Sequence, residues 1–373
     1  MSSCIYDIGV IISGLEDNIL ALVRELFPAG IREGNEYRIG SLAGEKGRSM
    51  AIHIGSTRAG IWCDYGGRSD DRGDALDLVA GALFSGDKKQ AIQWAKGWLG
   101  LDLSDPAAMK KHRRRAAQKT RVQKDGSARN KKKAFAIWLA AQEKLRDTPA
   151  DLYLRGRGID LSRLGYQPRA LRFHPNLDNW EDLDPKRDQP RRMAALVAAI
   201  TNARGETVAV HRTWLKPAIG TKAFWTKADL KNPKMTLGRY VGGAIRLWRG
   251  EVFDPDTGEV RRAPALKDAQ PGSSVVIAEG IEDGLTIAIA APAHRVLVAV
   301  SLANMGSLEL PPTITEVIIA ADNDAPGSQA TKQLNRVVEW FQSQGRRVRL
   351  ARPPEGHKDM NDLAYNTKKK MES

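Results

Sequence analysis

The chain has only two cysteines, Cys4 and Cys63, in 373 residues. Two thiols cannot build a disulfide framework or a cysteine-lined zinc site. No apolar run approaches the roughly 20 residues needed to cross a bilayer. The first residues, MSSCIYDIGVIISGLEDNILALV, have no basic lead-in and carry acids. No secretory leader is expected from them, and a cytoplasmic location is the default. The pattern Gly-x-x-x-x-Gly-Lys-Ser/Thr is absent, so no P-loop motor is expected. Internal repeats are missing too. Acid is in short supply, with 44 Asp and Glu against 58 Lys and Arg, a net charge of +14. That imbalance favours an anionic partner, of which nucleic acid is the commonest.

What is present centres on Ser274–Ala325. Two short apolar runs, Val275-Val276-Ile277-Ala278 and Val317-Ile318-Ile319-Ala320, each end on acid. Glu279 follows the first; Asp322 and Asp324 follow the second. Uninterrupted β-branched runs suit strands buried on both faces of a parallel sheet. Helical segments follow both, giving β-α-β-α-β-α. Ligands of such sheets gather at the carboxyl ends of the strands. Asp322 and Asp324 are two apart, so an extended chain points both the same way. Carboxylates that converge repel unless a cation or proton separates them. Mg²⁺, or Mn²⁺ in its place, suits oxygen ligands shared with phosphate. Gly280 is expected to turn the chain tightly after Glu279, and Gly327 to let a backbone approach where the next helix begins.

These residues resemble the Toprim domain, the metal-dependent core of bacterial primases, topoisomerases and some nucleases. The matches are Glu279-Gly280, then Asp322-Asn323-Asp324, then Lys358-Asp359-Met360-Asn361-Asp362 as the third acidic site. The resemblance implies metal ligands at Glu279, Asp322, Asp324, Asp359 and Asp362, with Glu279, Asp322 and Asp324 catalytic. A second, separate resemblance lies upstream. Tyr153-Leu154-Arg155-Gly156-Arg157-Gly158-Ile159, followed by Leu164-Gly165-Tyr166-Gln167-Pro168, is similar to the start of the catalytic core of DnaG-type bacterial replicative primases. The order of the two matches favours primase over other Toprim proteins.

The first hundred residues read as a small α/β module. A helix is expected over 18–27, strands over 36–39, 50–54 and 60–63, and a helix through 91–99. Ile61-Trp62-Cys63-Asp64-Tyr65 with Gly73-Asp74-Ala75 resembles the zinc ribbon of primases. Only His53 and Cys63 stand where that family has paired Cys and His ligands. The shape is therefore expected without zinc. Residues 105–133 hold twelve Lys and Arg against two Asp and read as a basic linker or a solvated helix.

An amphipathic helix is expected over 134–145, with Phe135, Trp138, Leu139 and Leu145 on its apolar side. Thr148 is expected to cap the next helix, with Pro149 in its first turn. Strands follow at 195–200, 208–214 and 244–248, the first two joined by a turn at 202–206. Lys216, Lys222, Lys227, Lys231 and Lys234 then crowd around Phe224 and Trp225, a composition suited to phosphates and stacked bases. The primase resemblance implies that Arg212 and Lys234 hold phosphates. Lys222, Lys227, Lys231, Gly280 and Gly327 complete the expected nucleotide or nucleic-acid contacts.

The expected fold is α/β, with α+β N-terminal modules. A Toprim fold with a four-stranded, mainly parallel sheet is preceded by a mixed α+β primase-core subdomain. The expected divisions are 1–104, 105–133, 134–270, 271–365 and a basic tail, expected to be disordered, at 366–373. The expected function is synthesis of short RNA primers on single-stranded DNA by two-metal-ion nucleotidyl transfer. Ribonucleoside triphosphates and a separate helicase are the expected partners. Two alternatives stay open: a Toprim nuclease using the same acids, and a non-catalytic single-strand-binding protein.

Overall fold

The structure, a computed structural model, describes residues 3–55, 58–65, 72–99, 126–181, 183, 188–219 and 224–372. The chain divides into two compact units, Met1–Gly126 and Ser127–Ser373. The basic run from Lys110 to Lys124 and Lys222 lie outside the described residues. No described helix is long and apolar enough to cross a membrane.

In the first unit, helices α1 (Ser3–Asp17) and α2 (Ile19–Leu26) precede five short strands. These are β1 (Ile31–Glu33), β2 (Glu36–Ile39), β3 (Met50–His53), β4 (Trp62–Asp64) and β5 (Arg72–Gly73). They form one antiparallel sheet in chain order. Helices α3 (Ala75–Phe84) and α4 (Lys88–Trp98) follow. The Gly73-Asp74-Ala75 step starts α3: the Asp74 carboxylate accepts from the Leu76 and Asp77 N–H groups, and Asp77 reaches back to complete a capping box. Ile11, Leu15, Leu22, Ile39, Met50, Ile52 and Leu78 fill the core. Among the two zinc-type ligands, His53 turns its Nε2 towards Glu36, 3.8 Å away.

The second unit begins with helix α5, residues 126–140. It starts earlier and stops sooner than its sequence suggested, because the basic residues 129–133 continue it on an exposed surface. Its buried side is also different. Ala134 and Trp138 pack inward, while Phe135 and Leu139 face solvent. Helix α6 (Pro149–Gly156) is capped by Thr148, with Pro149 in its first turn. An antiparallel sheet follows: β6 (Leu171–Asn179), β7 (Arg191–Thr201), β8 (Thr207–Pro217), β9 (Trp225–Lys227) and β10 (Lys234–Gly238). Its order is β10-β8-β7-β6, with β9 continuing along β8.

The last sheet holds the four expected parallel strands and one more. β11 (Ile245–Trp248) is followed by the hairpin β12 (Glu251–Phe253) and β13 (Val260–Arg262). Then come β14 (Ser273–Ala278), α7 (Ile281–Ala290), β15 (Val296–Val298), α8 (Leu302–Met305), β16 (Ile314–Ala320), α9 (Gln329–Ser343), β17 (Arg347–Ala351) and α10 (Met360–Glu372). The order is β11-β15-β14-β16-β17, with β11 antiparallel on the edge. Val275, Ile277, Val317 and Ile319 are fully buried; each contributes roughly 1.5–3 kcal/mol of hydrophobic stabilisation. One core runs from Tyr153, Leu196 and Ala209 through Trp248 to Val276, Leu285 and Val296. It ties the antiparallel sheet to the parallel one. The tail, expected to be disordered, continues α10 to Glu372; its Asn, Thr, Lys, Met and Glu residues include no helix breaker.

Candidate active site

The acids meet because two neighbouring strands stop together. β14 and β16 run parallel, with Ile277 opposite Ile319. Glu279 therefore leaves the sheet at the same edge as Asp322 and Asp324. On the other side of β14, Val300 sits just past β15 with φ +72°. That is a strained conformation for a β-branched residue. Its N–H donates to the Glu279 carbonyl at 3.1 Å, so the strain is spent bringing this loop against the acid.

The electrostatics show which carboxylates share one space. Burial pushes Asp322 up to about 6, and Asp359, Glu279 and Asp324 push it the same way. Burial also raises Glu279; Asp324 and Asp283 add to this, while the Leu302 N–H and Lys234 oppose it. Asp283 rises to about 6 through burial, helped by Asp359 and Asp322 and opposed by the Asn361 N–H. Five acids thus repel one another here: Glu279, Asp283, Asp322, Asp324 and Asp359. Asp283 was not among the residues read from sequence. It occupies the first turn of α7, which folds back over the end of β14 from Glu279-Gly280.

Asp359 arrives by a tether. Asn323, between the two aspartates, donates its side-chain N–H groups to the carbonyls of Pro353 (3.0 Å) and His357 (2.8 Å). Its main-chain N–H donates to Lys358 at 2.8 Å. Asn361, 1% exposed, fastens the far side of the same loop. Its N–H donates to Asp283 at 3.0 Å and its amide to the Arg157 carbonyl and Thr286 Oγ1. The structure does not bring Asp362 to the acids. Its carboxylate accepts from Lys358 N–H and Asn366 Nδ2 and faces His357 at 3.5 Å, while its own N–H is capped by Asp359. It is committed to starting α10.

A basic group borders the acids. Lys234 Nζ lies 2.9 Å from Glu282 Oε1, and the Tyr153 hydroxyl donates to the same carboxylate. Burial alone would raise Glu282, but Lys234 and Tyr153 override it and hold it at about 2. Lys234 therefore answers a buried acid, where the sequence suggested a phosphate. Lys227 lies beside Lys234, and burial lowers its pKa, with Lys234 and Arg157 adding to the effect. Among the described residues, neither Lys227 nor Arg157 has an ion-pair partner.

Arg212 does not join them. Alternation along β8 places it on the opposite face, with Val210 and Trp214. Its guanidinium lies 4.9 Å from the Trp214 ring, and burial lowers its pKa to about 10. His211 takes the face towards Lys234 and Glu282 instead. Lys231 stands exposed before β10. Gly280 has φ −99°, which any residue adopts, so no special turn demands glycine. A Cβ there would lie 3.1 Å from Asp283 Oδ2; glycine leaves room for that carboxylate. Gly327 has φ +73°, and open space surrounds the position a Cβ would take. Its need is the left-handed turn, not the close approach expected.

Among the described residues, no three His, Cys, Asp or Glu side chains are gathered tightly enough to hold an ion as they stand. The donor set nevertheless has the chemistry for one. It is all oxygen, half-buried, and short of positive charge, as the mutually raised pKa values show. A hard divalent cation such as Mg²⁺ fits those donors.

Residues 274–369 match the Toprim domain family, and the chain carries a Toprim domain there. Residues 128–247 match a domain family of unknown function. No curated protein matches the sequence. Among solved structures, the Aquifex aeolicus primase (zinc-binding and RNA polymerase domains) is 16% identical with a TM-score of 0.34, covering 97% of this chain and 84% of that one. A DNA primase domain from Pseudomonas aeruginosa is 17% identical with a TM-score of 0.40, covering 64% and 74%. The primase fragment of the bacteriophage T7 primase-helicase is 16% identical with a TM-score of 0.35, covering 60% and 72%.

Proposed function

We propose that this chain is a DNA primase: it joins ribonucleotides on a single-stranded DNA template. The observation that carries the reading is the meeting of the Toprim acids with residues of the upstream motif. Tyr153 bonds Glu282, three residues from Glu279, and the Arg157 carbonyl holds Asn361, two residues from Asp359. These bonds put two sequence signals more than a hundred residues apart in contact, which supports reading them as one site.

In this reading Glu279, Asp322 and Asp324 hold the divalent cation, with Asp283 and Asp359 beside them. When bound, the cation supplies Lewis acidity for the attacking 3′-hydroxyl and charge for the triphosphate. Lys227 and Arg157, which form no ion pair among the described residues, attract and orient the triphosphate. The 3′-oxygen forms a bond to the α-phosphorus, and the bond to the departing pyrophosphate breaks. Glu279, whose carboxyl burial pushes up, either ligates the cation directly or takes the hydroxyl proton through water. Lys234 keeps Glu282 ionised and so fixes the start of α7. The separate helicase expected from the sequence is part of this proposal.

The test is direct. The protein is incubated with single-stranded DNA, labelled ribonucleotides and Mg²⁺ or Mn²⁺. Labelled oligomers support the reading. Shortened DNA without oligomers would replace it with a nuclease, and binding alone with a non-catalytic protein.

A further inference from the structure

A second charged site lies on the opposite edge of the parallel sheet. β11 is antiparallel to β15, with Trp248 beside Val296 and Ile245 beside Val298. Trp248 and Arg249 therefore sit at the amino end of β15, whereas Glu279 neighbours its carboxyl end. A cavity of about 120 Å³ opens there. Five arginines line it: Arg169, Arg246, Arg249, Arg262 and Arg295.

Such crowding of one charge is costly unless something answers it. Arg295 is only 8% exposed. Burial lowers its pKa, and Arg249 and Arg246 lower it further. Arg246 is likewise lowered by burial and by Arg249. Among the described residues, no carboxylate forms an ion pair with any of the five. Glu251 is near enough to influence Tyr166 but does not pair with them. The hydrogen bonds of the two inner arginines go to carbonyls: Arg295 to Pro264, and Arg246 to Asn202 and Ala203. Those bonds aim the guanidiniums without neutralising them.

Two aromatic rings, Tyr166 and Trp248, share the rest of the wall with aliphatic side chains. Tyr166 stacks on Trp248 at 4.1 Å between centroids, and Arg262 lies 3.6 Å from the Tyr166 ring. The Tyr166 hydroxyl is buried without a hydrogen-bond partner. The Arg249 main-chain N–H is near enough to favour its ionised form but not in hydrogen-bonding geometry. A donor is therefore waiting as well as a charge.

We infer that this pocket is a second anion site, which takes phosphate groups. Arginine's planar fork matches phosphate oxygens. The cavity is smaller than the ~300–1,000 Å³ that enclose a whole small-molecule ligand. It suits phosphates of a longer molecule lying across it: a nucleic-acid backbone, or the phosphate end of a free nucleotide. The inference goes beyond the proposed activity and does not depend on it.

The test uses the full chain in EDTA, so that no cation–phosphate complex forms at the acids. Arg169 and Arg249 are exposed, so R169A/R249A removes two charges without opening the core. K332A/R349A, on exposed residues elsewhere, is the charge-matched control. Binding of labelled single-stranded DNA is measured by anisotropy across a salt series, and melting temperature is measured with added pyrophosphate. Loss of about one unit of salt slope in R169A/R249A beyond the control assigns the site to backbone phosphate. Loss of a pyrophosphate-dependent melting shift, with DNA binding equal to the control, assigns it to free phosphoanions. If R169A/R249A matches the control in both measurements, the inference is overturned, whether or not the protein makes primers.

Discussion

Asn323 donates a side-chain N–H to the His357 carbonyl at 2.8 Å, and through that bond one aspartate motif holds the loop of another. The residue between Asp322 and Asp324 is thus a positioning residue for Asp359. Asn323→Ala removes the side-chain donors and loosens the loop, leaving the main-chain bond to Lys358 and the Asn361 contacts. Asn323→Asp does worse, since it aims a carboxylate at carbonyl oxygens and adds a charge beside the five acids. The expected order of Mg²⁺-dependent primer synthesis is wild type, then Ala, then Asp, with Ala about 10-fold down. Melting curves should stay within a few degrees of wild type. An Asp variant as active as wild type would remove this role.

Asp322→Asn should abolish synthesis and yet stabilise the metal-free protein. The folded-state pKa of Asp322 is raised to about 6 from 3.8. Its ionisation therefore costs stability as pH rises from about 4 to 6, and the cost persists at pH 7. The group is half-exposed, so about 1 kcal/mol is expected after screening, or a melting shift of roughly 2–4 °C. In EDTA the variant should melt above wild type at pH 7 and equal to it near pH 4. Added Mg²⁺ should narrow the gap by stabilising wild type alone. A variant that melts lower at pH 7 would mean Asp322 is not under repulsion.

How much of this was written in the sequence depends on distance along the chain. Glu279, Asp322 and Asp324 were legible because each follows an apolar run of strand length, and the sheet edge does the rest. Asp283 was visible only as an acid in the first turn of a helix, where the default reading is capping. Nothing local says that the turn folds back over its own strand. The face that Arg212 takes was not legible for a similar reason. An Arg at the end of a strand points to one side or the other, and a one-residue change in register decides which. The fifth strand, β11, was legible as a strand at 244–248. Its pairing with β15, fifty residues on, is a tertiary fact with no local signature. The arginine pocket is harder still: its five members span Arg169 to Arg295, and no two of the five are closer than three residues.

Lys234 and Glu282 should show a strong non-additivity. Glu282 is 7% exposed and ionised, so Lys234→Ala leaves a buried charge unanswered at a cost of about 3–5 kcal/mol. K234M/E282Q removes both charges and keeps the volume, and should recover most of that stability. Synthesis should not recover with it, because the start of α7 and the field beside Glu279 both change. Denaturant unfolding of the two single variants and the double gives the coupling directly. Additive losses would show that the pair is not buried as a unit.

His211 provides an acid-side test of the same face. It is 9% exposed, and burial, with Lys234 adding to it, lowers its pKa to about 4 from 6.5. Folding therefore requires the neutral ring. The unfolded chain binds a proton that the folded one refuses, so stability falls as pH drops from about 6.5 towards 4. The expected loss from this residue is about 2–3 kcal/mol between pH 7 and pH 4.5. His211→Gln keeps a polar partner for Thr236, whose Oγ1 lies 3.3 Å from the ring, but cannot titrate. Its unfolding free energy should change less over that range than that of wild type, with the difference confined to pH 4–6.5. Equal slopes in the two proteins would place the His211 ring in contact with water.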